Sequence, residues 1–117
     1  MKRGEIWWAD LGDYRPLEQT GRRPVIIWQS DALTRALQSV LVVPVTTNLD
    51  RARLAGTAMI EASENGLSQT SVALAFQMRA IPKAFLRDRI RHLTADEIGE
   101  LELATDEALG RVEPDQE

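Results

Sequence analysis

Two arginines, Arg22 and Arg23, stand between Gly21 and Pro24, and the apolar run VIIW follows at once. Such a pair is either surface charge beside a turn or a cation held on a rigid edge to meet an anion. Guanidinium binds phosphate through two parallel hydrogen bonds and stabilises negative charge as it grows. A second polar set closes another apolar run: in VTTN, Thr46, Thr47 and Asn48 follow Val45. Threonine hydroxyls donate to phosphate oxygens, and asparagine or glutamine reads base edges. Glu18 and Gln19 precede the arginines, and the segment SVALAFQMR ends with Gln77 and Arg79. Taken singly, an arginine before a strand is ordinary solvated charge, and Thr-Thr-Asn after one is an ordinary turn. The two sets together suggest a phosphate site at strand ends.

Other chemistries are thinly represented. The chain has no cysteine and a single histidine, His92. Thiol nucleophiles and disulfides are excluded, and an all-protein zinc site is not expected. A Ser-His-Asp triad would need His92, whose charged surroundings RIRHL suggest no partner. The seven glycines are scattered, without a phosphate-cradling loop. No cofactor and no metal site are expected.

The elements that would position these residues are short. EIWWADL (residues 5–11) reads as a first strand, residues 12–21 as a long loop, and RPVIIWQ (23–29) as a second strand. Ser30 and Asp31 begin a helical turn over residues 30–37. SVLVVPVT (39–46) is a buried β-branched strand, with Pro44 suggesting an edge or a bulge. TAMIEA (57–62) reads as a strand, SENGL (63–67) as a turn, and residues 70–81 as one bent strand. Pro82 could open a short helix at its first position. RIRHL (89–93) reads as a last strand. TADE (94–97) is a capping box, behind which Ile98, Leu101, Ala104, Ala108 and Leu109 recur at helical spacing. The tail from about residue 111 should fray. Little helix separates the strands, so a parallel sheet is not expected. A small antiparallel barrel or curled sheet with a helix after it, mainly β with helices, fits the pattern.

The 117 residues suit one domain, residues 1–117, since domains most often hold about 100–150 residues. No apolar segment reaches the roughly 18 residues of a membrane span, and MKRGEIWW does not read as a signal peptide. A cytoplasmic protein without membrane contact is expected. The net charge of −4 divides unevenly: residues 92–117 carry −8 and residues 1–91 carry +4. A basic body beside an acidic last helix is compatible with an anionic ligand, and equally with a solvated acidic helix.

RGEIWWADLG, EQTGRRPVIIWQSD, VVPVTTNL and SVALAFQMRAIPKAFLRDRIRHL, in that order, resemble the MazF/PemK family of endoribonuclease toxins. The likeness runs from Arg3 to about Leu109. It implies an SH3-like barrel with a C-terminal helix, a homodimer, and a cognate antitoxin partner in a type II toxin–antitoxin system. It further implies sequence-selective, metal-independent cleavage of single-stranded RNA, with the ribose 2′-hydroxyl attacking the adjacent phosphate. Products would be a 2′,3′-cyclic phosphate and a 5′-hydroxyl end. By position Arg23 matches the family's catalytic arginine and Thr46 its catalytic threonine. Glu18 and Gln19 fall in the loop covering the RNA groove; Arg22, Thr47, Asn48 and Gln77 complete the expected substrate contacts. Phe76 stands where the family often has an acid, and Leu17 where serine is common before the glutamate, which bears on the preferred RNA sequence. The same barrel serves toxins that bind and poison DNA gyrase without cleaving, and a silent regulatory homologue would keep the fold alone.

Overall fold

Long apolar runs without polar alternation call for strands covered on both faces, and the central strands are covered so. The computed structural model describes residues 1–12 and 21–113. Its strands are β1 (Glu5–Asp10), β2 (Arg22–Ile27), β3 (Ser39–Thr46), β4 (Thr57–Ile60), β5 (Ser71–Leu74), β6 (Arg79–Pro82) and β7 (Leu86–His92), with helices α1 (Asp31–Ala36) and α2 (Ala95–Ala108). All pairings are antiparallel, in the order β4-β5-β3-β2-β1-β7, with β6 also beside β3. The sheet is not closed among the described residues, and its form is roughly barrel-like. Successive side chains of a strand point to opposite faces. Ile26, Val43 and Val45 accordingly join a core with Ile6, Ile60 and the helix residues Leu101 and Ala104. Val25, Ile27, Val40 and Val42 join a second core with Ala9, Ile81 and Leu86.

Pro44 is a correction. Far from an edge, it lies in β3, the strand with three partners, opposite Val25 of β2. Its other flank explains the tolerance. There β6 pairs with residues 39–42 and β5 with Val45 and Thr46, so Pro44 falls where one partner hands over to the next. A residue that cannot donate fits that gap.

The bent strand expected over residues 70–81 is two strands, β5 and β6, separated by a 3-10 turn at Ala75–Gln77. Pro82 ends β6 instead of opening a helix, and only a 3-10 turn, Lys83–Phe85, follows it. β7 starts three residues before the expected strand, at Leu86. A further 3-10 turn, Leu49–Arg53, had no clear signal in the sequence.

The capping box is present and does more than cap. The Thr94 hydroxyl accepts from the Glu97 backbone N–H, and the Glu97 carboxylate accepts from that of Thr94. The same carboxylate takes two bonds from Arg91 of β7, at 2.8 and 2.9 Å, and one from the Glu61 backbone N–H beyond β4. One buried ion pair thus fastens α2 to β7 and to the end of β4. Behind it Leu101 and Ala104 are buried and Ile98 is half-buried, while Ala108 and Leu109 are exposed. The helix's acids also tie it to its neighbours: exposed Glu102 meets Arg3 at 3.4 Å, and Glu107 accepts from the Gly56 N–H at 3.2 Å.

Gly4 (φ +93°) has a packing reason as well as a backbone one. A Cβ there would stand 2.8 Å from the His92 ring and 2.9 Å from Ile98. His92 itself faces backbone oxygens, Leu93 O at 2.7 Å and Arg3 O at 3.1 Å, tying the N-terminal segment to β7.

Candidate functional site

The strand ends singled out by composition do converge. The β2–β3 register sets Val25 opposite Pro44, Ile26 opposite Val43 and Ile27 opposite Val42. The pairing stops at Val25 and Pro44; carried two positions further, the same register would run Arg23 toward Thr46. Pro24 locks the backbone after Arg23, and the buried Val25–Ile27 segment anchors the strand behind it. Both arginines are exposed.

Beside this pair opens a cleft of about 370 Å³. Trp8 of β1 with Arg22, Arg23 and Pro24 of β2 forms one side, and Thr47, just past the end of β3, also lines it. Ser68, Gln69 and their neighbours between β4 and β5 form the other. Thr46, half-buried, is next in sequence to the lining residue Thr47, which is exposed, and does not itself line the cleft.

The TTN segment is both turn and candidate site. Thr46 Oγ1 accepts from the Asn48 N–H at 3.1 Å, and Asn48 Oδ1 accepts from the Asp50 N–H at 3.2 Å. Asn48 therefore caps the 3-10 turn that follows. The Thr46 oxygen is held by that turn while its own proton stays available to donate.

Arg22 is held across three strands. Pro24, Trp8 and Asp88 stand abreast on β2, β1 and β7. Arg22 lies diagonally beside Trp8, its guanidinium 4.9 Å from the ring centroid, and reaches Asp88 at 3.3 Å. Both partners of that ion pair are largely exposed, and such pairs are worth at most about 1 kcal/mol. Irregularities in the β1–β7 register flank Trp7 and Trp8 on either side. Bulges of this kind re-aim side chains.

Other candidates lie elsewhere. Gln77 is half-buried in the 3-10 turn between β5 and β6, and does not line the cleft. Phe76 beside it is 40% exposed and packs near Gly56 and Ala108. Glu18 and Gln19 lie outside the described residues. Trp8, Asp88 and residues 66–69 were not singled out from the sequence. Their part arises from lateral pairing between strands, which spacing along the chain does not display.

The electrostatics of the region are set by fixed pairs. Glu5, next to Trp7, is buried, which alone would push its carboxyl up. Bonds from the Lys2 N–H, the Trp7 indole and Arg89 outweigh burial and hold it below the usual carboxylate value. No residue of α2 lines the cleft, so the acidic helix stands apart from the arginines.

Fold and cleft together define a small, open β-barrel-like domain with a cationic, aromatic cleft at its strand ends. The family model for PemK-like, MazF-like toxins of type II toxin–antitoxin systems matches residues 2–109, and the chain belongs to that family. It is 33% identical over 110 residues to an "Endoribonuclease MazF" of Staphylococcus saprophyticus subsp. saprophyticus, covering 94% of this chain and 92% of the relative. It is 37% identical over 93 residues to "Endoribonuclease EndoA" of Bacillus subtilis, covering 80% of each. Among solved structures, an endoribonuclease in complex with its cognate antitoxin from Mycobacterial species superposes with a TM-score of 0.78 at 24% identity. The superposition covers 97% of this chain and 99% of that one, a likeness of fold.

Proposed function

We propose that this MazF-type toxin is a metal-independent endoribonuclease that cuts single-stranded RNA laid in the Trp8–Arg22–Arg23 cleft. Endoribonuclease is the activity its curated relatives are named for. What supports the chemistry is that Arg23 lines the cleft with Thr47, and that the β2–β3 register, carried two positions past its last pair Val25–Pro44, runs Arg23 toward Thr46. Arg23 binds two non-bridging oxygens of the scissile phosphate and stabilises the charge that builds on them. Thr46 donates its hydroxyl to the same phosphate. The ribose 2′-oxygen loses its proton and bonds to phosphorus as the P–O5′ bond breaks, and O5′ takes up a proton. The products are a 2′,3′-cyclic phosphate and a 5′-hydroxyl end, with no step assigned to a metal.

Thr47 and Arg22 extend the contact along the strand. Glu18, Gln19, Asn48 and Gln77 are further candidates for reading the sequence around the cut. The rigid β2–β3 frame matters because a phosphate clamp must hold its geometry while the reaction proceeds. The working protein is a homodimer in the cytoplasm, silenced by a cognate antitoxin of the kind the family description implies. Incubating the purified protein with end-labelled single-stranded RNA in EDTA tests the reading. Discrete cuts are expected. Intact RNA under EDTA, with cleavage restored by Mg²⁺, would overturn the metal-free route.

A further inference from the structure

Resting on that reading, we infer that Trp8 is a stacking platform for a base next to the cut, covered in the free protein by an Arg22–Asp88 latch. Trp8 lines the cleft together with both arginines and is only partly buried. Its neighbour Trp7 differs: it packs against the second core and spends its indole N–H on Glu5 at 3.1 Å. Trp8 has the position for recognition that Trp7 lacks. Among the described residues, the Arg22 guanidinium stands over its ring, 4.9 Å from the centroid, steered there by Asp88 at 3.3 Å.

That cover is easily exchanged. The ion pair is exposed on both sides, and a phosphate offers Arg22 the same bidentate geometry as a carboxylate. When RNA enters, Arg22 leaves Asp88 for a backbone phosphate. The bared indole then stacks on a base, an interaction that tolerates any base because each has a π face. Asp88 is the component that makes this a latch: it lies abreast of Trp8 on β7, outside the cleft lining, and serves to hold Arg22 over the ring.

The test is the affinity of a non-cleavable oligonucleotide, 2′-deoxy at the scissile position, measured by fluorescence anisotropy. Trp8→Ala should weaken binding about tenfold or more, and Trp8→Phe should restore most of it. An abasic site walked along the oligonucleotide should cost the wild type affinity at one position, and Trp8→Ala should be indifferent there. Asp88→Asn should tighten binding, and that gain should vanish in the Arg22→Ala background, where no latch remains to release. Equal affinity of Trp8→Ala and wild type, with wild-type cleavage intact, would overturn the platform alone. A gain from Asp88→Asn that persists without Arg22 would reduce Asp88 to general repulsion and overturn the latch. Failure of the wild type to bind or cut RNA would instead sink the functional reading beneath both.

Discussion

If Arg23 and Thr46 divide the work at the phosphate as proposed, their variants should fail differently. Arg23→Ala removes a charge donor held by Pro24 and the buried strand behind it; losing one preorganised donor costs about 10²–10³ in rate. The circular-dichroism spectrum should stay unchanged, because the Arg23 side chain is exposed and lies outside both cores. Near-wild-type turnover would remove Arg23 from the mechanism. Thr46→Val loses both the donor and the acceptor that fixes the Asn48 N–H. It should lose most cleavage and about 1 kcal/mol of stability, whereas Thr46→Ser should keep both. A Thr46→Val enzyme as fast as wild type would leave that hydroxyl with a turn to hold and no chemistry. These two candidates stand out in the sequence because composition breaks sharply there, between apolar run and arginine or threonine. Trp8 and Asp88 do not, because their meaning lies in being abreast of Pro24 across three strands.

Helix α2 is fastened by one carboxylate. Burial alone would raise the Glu97 pKa, but the Arg91 fork and the N–H groups of Thr94 and Glu61 hold it at about 2, against an ordinary 4.5. The folded value is depressed, so the stabilisation is fully present above the ordinary value and is lost as pH falls through the folded one. A shift of that size corresponds to roughly 3 kcal/mol, given up between about pH 5 and pH 2. Urea midpoints should therefore fall steeply over that window in the wild type and far less in Glu97→Gln. At neutral pH Glu97→Gln should already be less stable, since it leaves the half-buried Arg91 beside a neutral partner. Parallel acid profiles for the two proteins would show that the pair does not govern acid stability. The capping box is readable from TADE, because cap and partner lie three residues apart. Its partner Arg91 is not, since RIRHL displays only an alternation of charged and apolar residues along the chain. Pro44 misled for a related reason: proline disfavours a central strand, but a change of partners on one flank frees a central position of the need to donate.

On the scale of the molecule, charge is segregated: residues 1–91 carry +4 and residues 92–117 carry −8. The arginine cleft belongs to the basic part, and no α2 residue lines it. An acidic antitoxin segment and RNA should therefore compete for the cleft, and salt should weaken both. Arg22→Glu should weaken both ligands, whereas Glu100→Lys, on the exposed side of α2, should weaken neither. Simultaneous binding of an antitoxin peptide and a non-cleavable RNA, each at full affinity, would contradict competition. The basic body was visible in the charge count, whereas the distance between acid helix and cleft required the fold. Attack by the substrate's own 2′-hydroxyl on a phosphate clamped by Arg23 is tested by cleavage, in EDTA, of one RNA and of its twin lacking only the scissile 2′-hydroxyl, with the product ends identified by mass. A 2′,3′-cyclic phosphate and a 5′-hydroxyl are expected from the first and no cut at that position in the second. A cut in the deoxy twin, or a 5′-phosphate end from either, would contradict that attack.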